Sequence, residues 1–278
     1  MSVNLMRVNT NVQAMHSLQS LVSINSKLGD HQYRLSTGKR INAAQDDTAG
    51  YAISKELQSR ISGLKQANTN VGNAKNILNI AEGGYQSQMN ILQTIKDKVI
   101  QAADDAMDSD QRTAIQNQVA ALLSELDDIS AQTKWNGASL MSGAARTFQV
   151  GADSGDTLSV TLDTSTSAAV GQDNTVLSTM SLTSQASAAA AITTVDAAIS
   201  SLSKSVQAVG DYQSRFSSKE NALSISITNT ESVRSSIEDA DFAQEQMEVL
   251  KFQILQQTAL TSFAQANAAP QAVLNLMR

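Results

Sequence analysis

The sequence predicts a mainly α protein: an elongated antiparallel helical rod or coiled coil with one small β-hairpin, its N- and C-termini brought together. Three observations predict it. Apolar residues recur at steps of three and four along most of the 278 residues. Aromatic residues make up only 4% of the chain, and its apolar content rests on Ala, Ile, Leu and Val, which suit narrow helical layers better than a wide globule. The helical period lapses over residues 136–185, where Gly, Ser, Thr and Asp are dense and period-two alternation takes over.

The elements follow in chain order. An N-terminal arm carries Val8, Val12, Met15, Leu18, Leu21, Ile24, Leu28 and Leu35. From Ala49 the apolar positions run Ile53, Leu57, Ile61, Leu64, Ala67, Val71, Ala74, Leu78, Ala81, Tyr85, Met89, Leu92, Ile95 and Val99. A helix of that length spans roughly 75 Å at 1.5 Å per residue. Gly63, Gly72, Gly83 and Gly84 lie inside it. Each lowers helix propensity by about 1 kcal/mol relative to Ala, so packing against partner helices must supply the stability. After the acidic break at Asp104, Asp105, Asp108 and Asp110, the run Ile115, Val119, Leu122, Leu126, Ile129 predicts an antiparallel neighbour, capped by Asp108 or Ser109. Phe148–Val150 and Leu158–Leu162 alternate around a Gly-containing turn and predict the β-hairpin. Residues 163–191 are expected to form an exposed loop. The helical period resumes at Ile192 and continues through Val195, Ile199, Leu202, Val206, Phe216, Leu223 and Ile237. A C-terminal arm then carries Ala243, Met247, Leu250, Ile254, Leu260 and Phe263. Pro270, the sole proline, is placed to end or kink this last helix before the apolar Val273, Leu274, Leu276 and Met277.

One pair of such arms would leave much apolar surface wet, because two-helix packing covers one stripe on each helix. The terminal arms are therefore expected to be buried between copies of the protein.

Composition excludes several functions. The formal charge is −6 and the largest basic cluster is the Lys39-Arg40 pair, so no phosphate-binding face is predicted and nucleic acid is set aside. The absence of cysteine removes disulfides, thiolate nucleophiles and Cys-based metal sites. The N-terminal residues lack the basic and apolar regions of a secretory signal, and no apolar run approaches the ~18 residues of a membrane span. Hence the protein stays in the cytosol or leaves by a route that reads something other than a signal peptide. His16 and His31, the only histidines, stand fifteen apart without a metal-site motif, and are read as isolated surface or interface residues. No Gly-x-Ser-x-Gly elbow or Gly-x-x-x-x-Gly-Lys loop occurs, so no enzyme, no cofactor and no catalytic residue is predicted. The acidic break lacks the Gly and closing Glu of a calcium loop, and Asp46-Asp47 is explained by the dipole of the helix it enters. No Asn-x-Ser/Thr sequon is present, while the Ser/Thr-rich 163–187 stretch carries no motif that specifies O-linked modification.

Two long stretches carry a family likeness. LSTGKRINAAQDDTAGYAISKELQSRISGLKQANTNVGNAKNILNIAEGG (35–84) resembles the N-terminal signature of bacterial flagellins, and IEDADFAQEQMEVLKFQILQQTALTSFAQANAAPQAVLNLMR (237–278) resembles their C-terminal signature. QTKWNGASL and FQVGADSGDTLSV resemble the segments between them, so the likeness covers essentially the whole chain.

The resemblance implies a subunit that self-assembles into the hollow helical filament of the bacterial flagellum. It implies a terminal coiled-coil domain lining the filament core (1–43 and 237–278), a helical rod domain (44–140 and 186–236), and a β-hairpin with an exposed loop (141–185) where larger flagellins insert outer domains. Core subunit contacts would fall on Val8, Val12, Met15, Leu18, Leu21, Met247, Leu250, Ile254, Leu260, Phe263, Val273, Leu274, Leu276 and Met277. Terminal arms that order only on assembly are implied too. So is export through the flagellum's own type III apparatus, with an export chaperone, a filament cap and hook-junction proteins as partners. Localisation would be an extracellular flagellum, with a periplasmic one as the other placement. One position set departs from the pattern: flagellins sensed by the vertebrate innate receptor have Arg, Glu and Leu where this chain has Thr94, Asp97 and Lys98. Loss of a multi-donor Arg and an apolar anchor predicts weak receptor recognition. Two other readings fit the arms: the hook–filament junction protein, which shares flagellin's terminal helices, and a coiled-coil adaptor that does not polymerise.

Overall fold

The computed structural model describes residues 10–172 and 175–276. Five α-helices carry most of these: α1 (Val12–Thr37), α2 (Thr48–Ala102), α3 (Ser109–Gln132), α4 (Gln185–Glu238) and α5 (Phe242–Leu276). Contacts divide the chain into two compact units, Arg60–Thr228 and Met1–Ser59 with Asn229–Arg278, and the division falls inside α2 and α4.

In the larger unit α2 and α4 lie antiparallel, with Lys96 2.6 Å from Asp196 and Lys75 2.8 Å from Glu220. The core is the three-four stripe expected from sequence. It runs from Leu64 to Ala102 on α2 and from Ala188 to Leu223 on α4, with Tyr85, Leu92 and Phe216 fully buried. Small residues such as Ala67, Ala74 and Ala81 on α2 and Ala191 and Ala198 on α4 let the backbones approach closely. Helix α3 packs antiparallel to α2: the Gln88 amide reaches Leu126 O (3.0 Å), and Arg112 Nε reaches Ala102 O (2.9 Å). Asp108 caps α3, accepting from Gln111 N at 2.8 Å while Gln111 Oε1 accepts from Asp108 N at 3.2 Å, a reciprocal box that satisfies two end donors. Gly84 of α2 has a specific purpose, because a Cβ there would lie 2.6 Å from Thr133 Oγ1 and 2.5 Å from Met141 Cε.

The predicted hairpin forms. Strands β3 (Ala145–Gln149) and β4 (Thr157–Thr161) pair with Phe148 opposite Leu158, and Phe148 meets Phe216 edge to face at 5.6 Å. Two further ladders were not legible as strands, since each is only two residues long: β1 (Lys134–Trp135) with β2 (Ala138–Ser139), and β5 (Gly171–Gln172) with β6 (Thr175–Val176).

Residues 163–184 depart from the expected exposed loop. Ser165, Ser167, Val170, Leu177, Met180 and Leu182 are buried, and α4 begins at Gln185, ahead of the first periodic residue Ile192. Polar side chains of α2 and α3 make this burial affordable. Gln88 donates to Ser165 O (2.9 Å), Asp127 accepts from both N and Oγ of Ser167 (2.6 and 2.7 Å), and Gln116 joins Met180 O and Leu182 N. These bonds satisfy backbone groups that the two-residue β5–β6 ladder does not reach. Buried Tyr85 donates to Asp163 O at 2.7 Å; burial, then the nearby Asp163 charge, pushes its hydroxyl pKa up.

In the smaller unit α1 and α5 pair antiparallel. Gly38, at φ 70°, ends α1 in the left-handed region and donates to Arg34 O at 2.8 Å. Helix α5 continues past Pro270 to Leu276, so the proline does not end it.

Gln88 joins three elements through one buried amide. Replacing it with Ala removes two hydrogen bonds and leaves a cavity, which should lower unfolding stability of the larger unit by about 2–4 kcal/mol. Denaturant unfolding followed by the fluorescence of Trp135, the sole tryptophan, measures it; an unchanged midpoint would contradict this account.

Candidate assembly surface

Each terminal helix carries an inward stripe. On α1 it comprises Ala14, Leu21, Ile24, Leu28, His31 and Leu35; on α5, Glu245, Val249, Phe252, Gln256, Ala259, Phe263 and Ala266. The register is set out by hydrogen bonds from Asn11 Nδ2 to Ala266 O (2.7 Å), from Gln256 Nε2 to Asn25 Oδ1 (2.7 Å) and between His31 Nδ1 and Glu245 Oε2 (2.5 Å). His31 stacks on Phe252 at 5.3 Å. The fully formed core of the pair is small, with Leu28, Val249 and Phe252 buried and Ile24 and Leu35 against them.

A second apolar stripe faces away. On α1 it comprises Val12, Met15 and Val22, flanked by Leu18; on α5, Met247, Leu250 and Ile254, flanked by Leu260. At 100° per residue, Met247, Leu250 and Ile254 fall on the side of α5 opposite Val249 and Phe252. Met15 is 62% exposed, Met247 64% and Ile254 65%, values that suit a contact surface waiting for a partner.

Of the residues that the sequence assigns to subunit contacts, Val12, Met15, Leu18, Met247, Leu250, Ile254 and Leu260 are on this outward surface. Leu21 and Phe263 are half-buried on the inward stripes instead. Val273, Leu274 and Leu276 lie in the last turns of α5, their side chains outside the described part of the structure, and Val8 and Met277 lie outside the described residues. In the larger unit Thr94 and Asp97 are exposed on α2 and Lys98 is half-buried; Thr94 Oγ1 donates to Asn90 O at 3.0 Å, within its own helix.

The sequence reading missed a polar interlock where the connector after α1 meets the break between α4 and α5. Glu238, 8% exposed at the side chain, accepts from Lys39 Nζ (2.5 Å) on Oε1, and from Ser54 Oγ (2.6 Å) and Arg234 Nη1 (2.9 Å) on Oε2. Its backbone carbonyl accepts from Arg40 N (2.7 Å) and Ile41 N (3.3 Å), Arg40 Nη2 reaches Ile237 O (2.6 Å), and Ala240 N reaches Gly38 O (2.9 Å). Burial opposes ionisation of Glu238, but the bonds from Lys39 and Ser54 and the charges of Lys39 and Arg234 outweigh it and hold the carboxyl below its ordinary range. Bonds from the Ala43 and Asn42 N–H groups, aided by Arg34, hold Asp46 low against its own slight burial. The readable signal was Glu231-x-x-Arg234-x-x-x-Glu238, ion-pair spacing on one helix face. Asp47 and Asp241 cap the helices that follow, Asp47 Oδ1 accepting from Gly50 N (3.0 Å) and Asp241 Oδ1 from Ala243 N (2.8 Å). Among the described residues no group of three His, Cys, Asp or Glu side chains could hold a metal ion.

Comparison with known proteins places the chain among filament proteins. Residues 8–146 match the bacterial flagellin N-terminal helical region and residues 192–277 the bacterial flagellin C-terminal helical region. The chain is 34% identical to flagellin FlaB1 of Treponema pallidum (strain Nichols) and 32% identical to flagellin of Bacillus subtilis (strain 168), in each case over 98% of this chain and all of the relative. A solved structure of a putative flagellar hook-associated protein from Vibrio parahaemolyticus shares the fold, with a TM-score of 0.60 and 16% identity over 70% of this chain and all of that one.

The interlock has a pH signature. Carboxyls held low in the folded state stabilise it fully above their unfolded values, and that contribution is lost as pH falls through the folded values. Hydrogen-exchange protection of the Arg40 and Ala240 amides, which donate across the interlock, should therefore fall on acidification below the ordinary carboxylate range. Glu238→Gln should lower protection at neutral pH and flatten the acid step; a wild-type profile that stays level through that range would refute the assignment.

Proposed function

This chain belongs to the bacterial flagellin family, and on that premise we propose that it polymerises through the outward apolar stripes of α1 and α5. The chain is a structural subunit of the flagellar filament, from a family of structural proteins and not of enzymes, and its copies assemble with one another. The stripes supply the mechanism. Two helices that meet along one stripe leave the other in water, and burying it against neighbouring subunits releases about 25 cal/mol for each Å² covered. A helix pair with so small a core gains most of its order from those neighbours, so folding of the arms and assembly are one coupled step.

In this reading the arms (1–43 and 237–278) line the filament core. Residues 44–140 and 186–236, with the 141–185 insertion, form the surrounding shell. The subunit travels unfolded through the type III apparatus. An export chaperone, a filament cap and hook-junction proteins receive it in turn, and the filament lies outside the cell. The observation that carries the reading is the outward stripe itself: seven large apolar residues predicted from sequence to meet other subunits stand in solvent on the terminal helices.

Electron microscopy of heat-dissociated protein cooled with and without filament seeds tests it. The full chain should elongate seeds into hollow filaments. Leu250→Asp with Ile254→Asp should reduce elongation by about a hundredfold or more, because two charges would be buried without partners. Leu274→Asp with Leu276→Asp extends the test to the tail. Normal filaments from the first pair would discard the α5 stripe, and a wild-type chain inert on seeds would favour the adaptor reading.

Thr94, Asp97 and Lys98 carry a second expectation. With a short hydroxyl and an amine in place of a multi-donor guanidinium and an apolar anchor, activation of the vertebrate innate receptor should be weak. Reporter cells given purified monomer measure this, and a strong response would overturn it.

A further inference from the structure

We propose that Met15 and Met247 are oxidation sites through which peroxide controls assembly. The proposal rests on the polymerisation reading above and adds a covalent modification to the same outward stripes.

The chain has no cysteine, so its nine methionine thioethers are the sulfurs open to oxidation. The fold sorts them by access. Met141 and Met180 are buried in the core of the larger unit, and Met89 and Met107 are half-buried against it. Met15 and Met247 are the two exposed methionines among the described residues, and they stand on the outward stripes, one on each terminal helix. Their access to solvent in the free subunit does not depend on α1 pairing with α5. Arms that order only on assembly leave both thioethers in water beforehand, and assembly then covers them. Reactivity is thereby confined to the subunit that has not yet been incorporated.

The chemistry needs only hydrogen peroxide. The thioether sulfur attacks the O–O bond, one S–O bond forms, and the second oxygen leaves as water; sulfur gives up two electrons and the peroxide takes them. A flexible apolar side chain becomes a polar one with an acceptor oxygen. Its stripe neighbours at helical spacing, Val12 and Leu18 beside Met15 and Leu250 beside Met247, have side chains that offer that oxygen no donor. Burying it against another subunit therefore opposes the contact that the unmodified stripe favours. Because the arms take their order from that contact, the same oxygen also works against formation of the helices.

The test treats the full chain with hydrogen peroxide, as dilute heat-dissociated subunits and as filaments, and follows it by peptide mass spectrometry and by elongation of untreated seeds. In free subunits Met15 and Met247 should each gain one oxygen about tenfold faster than Met141 and Met180, and in filaments they should react about tenfold more slowly than in free subunits. Subunits oxidised at both positions should elongate seeds about tenfold more slowly or worse. Methionine sulfoxide reductases for both sulfoxide epimers should restore the rate. Met15→Leu with Met247→Leu removes both sulfurs at nearly constant volume, and its elongation after peroxide, relative to its own untreated rate, should not fall. Normal elongation by doubly oxidised subunits overturns the proposal, as does a loss that the reductases do not recover. So does a leucine variant slowed by peroxide as much as the parent, since the sensitive group would then lie elsewhere. If Met15 and Met247 react as fast in filaments as in free subunits, assembly does not cover the stripes; the polymerisation reading then fails and takes this proposal with it, whereas the other outcomes overturn the proposal alone.

Discussion

A helix facing a single partner hides one stripe of its surface, and α1 and α5 each carry two; most of what distinguishes this protein follows from that mismatch. The larger unit leaves only scattered large apolar residues such as Ile80, Ile100 and Ile225 exposed. Its α2 and α4 stripes close on each other, with α3, the hairpin and the 163–184 segment covering what remains, and Tyr85, Val99 and Phe216 are fully buried. The smaller unit closes only around Leu28, Val249 and Phe252 and leaves Met15, Val22, Met247 and Ile254 in solvent. One unit is closed by its own chain, and the other keeps a second apolar stripe in solvent.

That division explains the distribution of polar chemistry. In the larger unit, buried polar side chains serve internal connections: Gln88, Gln116 and Asp127 satisfy the backbone of a segment whose own ladder is only two residues long. In the smaller unit they gather where connectors meet, around Glu238, Asp46 and Glu245, and leave the outward stripes free of charge. Ionic contacts suit this placement. They are directional and intolerant of displacement, so they fix geometry, whereas apolar contacts supply area and tolerate sliding.

How much could be read in advance follows the same line. The long helices were legible because three-four spacing from Leu64 to Val99 and from Val195 to Leu223 reports a buried stripe whatever covers it. The hairpin was legible from the alternation in Phe148–Val150 and Leu158–Leu162, and the exposed outward stripes of α1 and α5 from apolar arms too rich for one partner. The 163–184 segment was misjudged because its burial depends on Asp127 and Gln116, far away in sequence, and Ser and Thr look alike in a loop and in a packed turn. The β1–β2 and β5–β6 ladders are too short to show a period. Leu21 and Phe263 lie half-buried on the inward stripes, a placement that spacing alone does not give, since a helix with two stripes does not announce which faces its intrachain partner. The Glu238 interlock escaped for another reason: Lys39, Ser54 and Glu238 are distant in sequence, and no pattern in one chain links them.

The place of that interlock follows from what helix ends lack. The last carbonyls of a helix have no partner within it, and those at the end of α4 would stay open if nothing reached them. The connector after α1 supplies the donors: Arg40 N and Ile41 N reach the carbonyl of Glu238, and Arg40 Nη2 reaches that of Ile237. Polar groups are thus spent where the backbone already needs them. The knot lies outside the outward stripes, so it adds no charge to the apolar surface that α1 and α5 keep in solvent.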